Sequence, residues 1–128
     1  MSTESVQPSQ GLCECAPAML RGSFYADVEP SLARSLENSL LPHAMQVFNS
    51  PVPPAAWAES EFAGKLAFLR CTQDQAMPVV MQDMLVQRSG VDWMVKDIEA
   101  SHSSWASRPE EVVKILDEWV AVFQGAHA

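Results

Sequence analysis

Two short apolar runs stand out in the second half of the chain, each ended by a polar loop. The first is Leu66-Ala67-Phe68-Leu69-Arg70-Cys71, followed by Thr72-Gln73-Asp74-Gln75-Ala76-Met77-Pro78; the second is Val91 to Ile98, followed by Glu99-Ala100-Ser101-His102. Runs of this length bounded by turn residues predict buried strands. Between them, residues 78–89 predict a helix opened by Pro78, carrying Val79, Val80, Met81, Met84 and Leu85, and stopped by Ser89-Gly90. A strand–helix–strand crossover makes its strands parallel, so both following loops emerge at the carboxyl edge of one sheet. Open α/β sheets place their chemistry at that edge.

The last helix is predicted from Ser107-x-x-Glu110, which reads as a capping box. Its apolar face is Val112, Ile115, Leu116, Trp119, Val120 and Phe123, with Gly125 as the stop. In the first half, Asp27 is placed to cap a helix with Glu29 and Pro30 in its first turn, and Leu32, Leu36 and Leu40 recur every fourth residue. Leu41-Pro42 ends that helix, and a shorter helical piece over His43 to Phe48 follows. Residues 49–54, Asn-Ser-Pro-Val-Pro-Pro, predict a rigid extended connector. Residues 1–10 are polar and aperiodic, which predicts a disordered tail.

Composition narrows the classes. A chain of 128 residues suits one domain with a modest core. No apolar run approaches the ~20 residues needed to span a bilayer, and no basic-then-apolar start reads as a secretory signal, so no membrane association and a cytoplasmic location are expected. A net charge of −8, with eight scattered Lys and Arg, argues against nucleic acid as a partner. Cys13, Cys15 and Cys71 lack a second Cys or His pair at zinc-site spacing and read as reduced structural thiols. No metal or cofactor is expected.

The two loops carry the candidate chemistry. If the strands pair directly they lie ~4.8 Å apart, which lets a carboxylate on Asp74 accept a hydrogen bond from the His102 imidazole. That pair would be the acid and base half of a nucleophilic triad. Asp74 can also cap the helix opening near Pro78, and both roles can hold together. The nucleophile has no counterpart: Gly11, Gly22, Gly64, Gly90 and Gly125 bracket no serine in a Gly-x-Ser-x-Gly elbow. Ser101, Ser103 and Ser104 flank His102 but point in divergent directions and read as loop hydrogen-bonding groups. His43 and His127 have no acidic or nucleophilic neighbour in a recognisable loop. Met77, Met81, Met84, Trp57 and Trp105 read as core, or as the lining of an apolar ligand pocket.

Phe68-Leu69-Arg70-Cys71-Thr72-Gln73-Asp74-Gln75-Ala76-Met77-Pro78 and Ile98-Glu99-Ala100-Ser101-His102-Ser103-Ser104-Trp105, with Ser107 to Val112 after them, resemble the acid loop, histidine loop and final-helix start of an α/β-hydrolase. The resemblance is to the small carboxylesterase, methylesterase and hydroxynitrile lyase group, and it covers roughly residues 11–124. It implies an α/β fold truncated to a helical lid followed by strand, helix, strand, helix with a small parallel sheet. It divides the chain into the tail at 1–10, a lid-like segment at 11–62 and an α/β segment at 63–128. It makes Asp74 the triad acid and His102 the triad base. It further implies descent from serine esterases, action on or binding of a small apolar ester or natural-product intermediate in secondary metabolism, or a pseudoenzyme that binds an apolar ligand. A homodimer or a complex with a larger hydrolase is expected, because the first strand lacks neighbours.

Overall fold

The computed structural model describes residues 11–125. Its centre is a parallel pair of strands, β3 (Ala67–Cys71) and β4 (Met94–Ile98), in register from Ala67 opposite Met94 to Cys71 opposite Ile98. Helix α3 (Val79–Ser89) makes the crossover between them. Gly90, at φ 71°, ends that helix in the left-handed conformation that a glycine adopts without Cβ strain. After β4 come a short helix α4 (Ser104–Ser107) and the long closing helix α5 (Pro109–Gly125).

Side-chain alternation assigns a helix to each sheet face. Leu69 and Cys71 of β3 and Ile98 of β4 meet Ile115, Val112 and Trp119 of α5, and Ala100 completes this small core. Lys96 on the same face pairs with Glu118 of α5. On the other face Arg70 bridges Asp97 of β4 and Asp83 of α3, each at 2.7 Å. The section is therefore helix, sheet, helix, the layering of an α/β protein.

The segment 11–62 is made of short pieces. β1 (Leu12–Cys13) pairs antiparallel with β2 (His43–Ala44). Between them lie α1 (Pro17–Met19), a single π turn over Leu20–Phe24, and α2 (Pro30–Ser39). Three 3₁₀ turns, Met45–Asn49, Ala56–Ala58 and Ser60–Phe62, lead to β3. The tail expected at 1–10, and His127, lie outside the described residues. Among the described residues no helix is long and apolar enough to cross a membrane.

Several local expectations are corrected. Glu29, not Asp27, caps α2, accepting from the amides of Ser31 and Leu32 at 2.9 and 3.1 Å; Pro30 sets the helix start one residue after Glu29, which leaves Asp27 too far back to reach it. Leu32 on α2 and Leu40 just past its end are exposed, Leu36 is half-buried and the buried residue is Ala33, so among the described residues the leucine stripe faces no core. The helical piece expected at His43 to Phe48 opens as strand β2, because the main chain after Pro42 is extended and pairs with β1. No capping box forms at Ser107. That residue ends α4, and Pro109 occupies the first turn of α5, so Arg108 takes the capping position and its carbonyl accepts from Val112. Residues Ala67 to Arg70 are half-buried rather than enclosed on both faces. Met81, Met84 and Trp105 are exposed and join neither core nor cavity.

Candidate active site

The ladder between β3 and β4 continues past the ends of both strands. Thr72 donates its amide to the Ile98 carbonyl at 3.0 Å, and Gln73 donates to the Ala100 carbonyl at 3.1 Å. These bonds hold the two loops side by side at the carboxyl edge of the sheet, two residues beyond each strand. Asp74 and His102 face one another there, with Asp74 Oδ2 2.9 Å from His102 Nδ1. The structure thus brings together the two residues singled out from sequence.

Each oxygen of Asp74 has its own task. Oδ1 accepts from the amides of Ala76 and Met77, both at 2.8 Å, which folds the loop around the carboxylate. Oδ2 is left for the imidazole. Asp74 is 8% exposed, so the direction of its carboxylate is fixed by the protein rather than by water. An ionised carboxylate only accepts, so with Asp74 ionised the proton of this contact lies on Nδ1, and in the neutral imidazole Nε2 then presents a lone pair. The role expected for Asp74 at the start of α3 is realised one turn earlier, as this loop closure; Pro78 precedes α3 with no side-chain cap.

The histidine loop is tied from the other side by the segment 11–62. Ser101 donates its amide to Asp27 Oδ2 at 2.9 Å and its hydroxyl to the Ser23 carbonyl at 3.2 Å. Phe24 meets the His102 ring edge-on, with centroids 4.8 Å apart and planes at 84°. Asp27, Ser23 and Phe24 are positioning residues that sequence reasoning missed. Asp27 carried a signal, but it read as a helix cap; nothing local relates position 27 to position 101.

Of the flanking serines, Ser101 spends its hydroxyl on the Ser23 carbonyl. Ser101, Ser103 and Ser104 are buried, and among the described residues no serine hydroxyl lies within hydrogen-bond distance of His102. Burial pushes the Cys71 thiol up, against a hydrogen bond from Ser104, so this sulfur is held as the neutral thiol. His43 is exposed and meets Phe48 at a tilted angle, with centroids 5.2 Å apart, and makes no ion pair among the described residues. Among the described residues no group of three or more His, Cys, Asp or Glu side chains is arranged to hold a metal ion.

A second feature lies at the opposite, amino end of the strand pair. Trp57, Phe68, Leu85, Val86 and Trp93 line an apolar cup of about 340 Å³ with Arg88 at its border. Trp57 is the only member of the methionine and tryptophan set singled out from sequence that lines it.

No family model matches this sequence, and no curated protein does so. Solved structures do resemble the molecule. The methylesterase MES16 from Arabidopsis matches with a TM-score of 0.72 at 22% identity, over 93% of this chain and 50% of its own. Polyneuridine aldehyde esterase matches with a TM-score of 0.67 at 21% identity, over 80% of this chain and 40% of its own, and a mutant of that esterase matches equally in shape at 20% identity. The chain spans about half the length of these proteins or less. Identities of this size speak for shape, and the shape is that of part of an α/β-hydrolase fold, the strand pair β3 and β4 with the elements around it.

Proposed function

We propose that this chain carries the acid–base half of an ester-hydrolysing site, with Asp74 orienting His102 and His102 Nε2 taking the proton. The single observation that supports this reading best is the 2.9 Å contact between Asp74 Oδ2 and His102 Nδ1, on a carboxylate whose other oxygen is already occupied. The substrate class is a small apolar ester or related natural-product intermediate, a reading supported by the esterase names of the two similar folds. Secondary metabolism and the cytoplasm are the setting that goes with it.

The nucleophile comes from outside the described residues: water, a group of the substrate, or a side chain of a second chain. In the water case, Nε2 accepts a proton as the water oxygen bonds to the ester carbonyl carbon, and the carbonyl π pair moves to oxygen. Collapse of the tetrahedral adduct breaks the bond to the alcohol oxygen, which takes the proton back from Nε2. Asp74 stabilises the imidazolium between these steps without itself being protonated.

A second reading, a pseudoenzyme that binds an apolar ligand without turnover, is favoured by two observations. No hydroxyl approaches His102 among the described residues, and the sequence holds no Gly-x-Ser-x-Gly elbow. Turnover of a short-chain nitrophenyl ester by purified protein separates the two. The first reading predicts a rate that His102→Ala lowers by on the order of 10²-fold, with no serine labelled by a fluorophosphonate probe. Equal rates for the two proteins would replace it with the second.

A further inference from the structure

We propose that Gln82 of α3 is a positioning residue for Asp74, its single buried amide gripping both ends of the loop that carries the carboxylate. The proposal deepens the reading of Asp74 and His102 as an acid–base pair and rests on it.

Asp74 stands at the middle of the loop 71–77. Gln82 is 3% exposed and lies near the start of α3, where a helical side chain leans back toward the helix amino end and so reaches the loop that leads into it. At one end of the loop its Oε1 accepts from the Cys71 amide at 3.0 Å, and its Nε2 donates to the Cys71 carbonyl at 2.9 Å. At the other end the same Nε2 donates to the Met77 carbonyl at 2.8 Å. Both N–H bonds of the side-chain amide are thereby spent on carbonyls, and its oxygen meets an N–H. The partners thus fix which end of the amide is which.

The bond to Met77 is the one that a strand end does not need. Two bonds to Cys71 complete the main chain where β3 stops. The third crosses the loop to the residue whose amide, together with that of Ala76, holds Asp74 Oδ1 at 2.8 Å. Met77 is therefore held through its carbonyl while its amide holds the carboxylate. With Oδ1 fixed, the direction of Oδ2 is fixed as well, and Oδ2 is the atom 2.9 Å from His102 Nδ1.

The other wall of the loop is held from the sheet side, where Thr72 and Gln73 donate to the Ile98 and Ala100 carbonyls. Gln82 supplies the matching hold from the helix side. A site that transfers a proton needs this kind of support, because a shift of about 1 Å in a reacting group is enough to spoil its geometry. Gln82→Glu isolates the contribution. It keeps the shape and the acceptor for the Cys71 amide, but its carboxylate has no donor for the two carbonyls.

The test reads the His102 ring by nitrogen-15 spectroscopy in the full-length chain, above the range in which imidazole protonates. The wild type is expected to carry the ring proton on Nδ1. Gln82→Glu is expected to lose that preference and show both tautomers. Ser89→Ala, which takes the acceptor from the Trp93 indole at the far end of the same helix, is expected to keep the wild-type ring. In an Asp74→Ala background, adding Gln82→Glu is expected to change the ring no further, because Gln82 acts on it through Asp74. A folded Gln82→Glu protein with the wild-type ring overturns the inference and leaves the acid–base reading standing. So does loss of the preference in Ser89→Ala, or a further ring change in the Asp74→Ala background. A wild-type ring without the Nδ1 preference overturns the acid–base reading, and the inference with it. Where Gln82→Glu fails to fold, hydrogen exchange of the wild type decides. The two Gln82 side-chain amide protons are expected to exchange about 100-fold more slowly than those of an exposed glutamine, in step with the Ala76 and Met77 amides as one opening unit. Exchange at the exposed rate, or out of step with those amides, overturns the inference.

Discussion

Asp27 Oδ2 holds the Ser101 amide from 74 residues away in sequence, next door to the imidazole that the site depends on. Its other oxygen is buried without a hydrogen-bond partner among the described residues, so the carboxylate is retained at a desolvation cost for the sake of one contact. Asp27→Ala leaves the N–H of the buried Ser101 unpaired, and the expected loss is about 1–3 kcal/mol of stability in urea unfolding. A companion effect separates this bond from a merely local one. Asp27→Ala is expected to disorder the His102 ring contact with Phe24, seen as loss of the ring-current shift on the imidazole protons. Asp74 and His102 were legible in the sequence because each stands just past an apolar run. Asp27 was not, since its partner is set by the path of the chain rather than by spacing.

At the scale of elements, α3 shows why periodicity reads a helix yet misreads its buried face. Val80, Met81, Met84 and Leu85 are exposed, and the buried residue is Gln82. The amide of Gln82 satisfies the Cys71 N–H and C=O and also donates to the Met77 carbonyl at 2.8 Å, so three main-chain groups depend on it. Gln82→Leu keeps the volume and removes all three bonds. Each buried group left unpaired costs about 1–3 kcal/mol, so a fall of several kcal/mol in unfolding free energy is expected, against little change for Gln87→Leu on the exposed side of the same helix. The strands, α3 and α5 were legible because long apolar periods and a glycine stop survive any context. The helical piece expected at His43 to Phe48 is present as the 3₁₀ turn Met45–Asn49, with its first two residues taken by pairing with β1. The capping box at Ser107 was misread, because Pro109 moved the start of α5 past it. The leucine stripe on α2 was read correctly as a stripe, but the described residues supply no core for it to face.

Surface ion pairs add to the apolar contacts between the layers, Arg70 with Asp83 of α3 and Lys96 with Glu118 of α5. Arg70 holds the Asp97 carboxyl below its usual range, and Lys96 does the same for Glu118; Ser31 hydrogen bonds lower Glu29. In each case the folded pKa lies below the unfolded one, so the unfolded state binds more protons. The associated stability is present above the ordinary carboxylate range and is lost as pH falls through the depressed folded values, below about pH 4. A falling melting temperature between pH 5 and pH 3 is therefore expected in dilute buffer, with the drop reduced in high salt and in Arg70→Met, which removes the partner of Asp97. The Asp74–His102 contact depends on every layer at once: the sheet aligns the loops, the segment 11–62 ties the histidine loop, and α3 closes the edge beside the acid loop. Its persistence in the intact chain is the most direct test of the account. Nitrogen-15 spectra of the His102 ring, recorded above the range in which imidazole protonates, are predicted to show the proton on Nδ1 and a bare Nε2, with the preference lost in Asp74→Ala. A ring protonated on Nε2, or one unaffected by Asp74→Ala, would contradict the assignment of these two residues as a working acid–base pair.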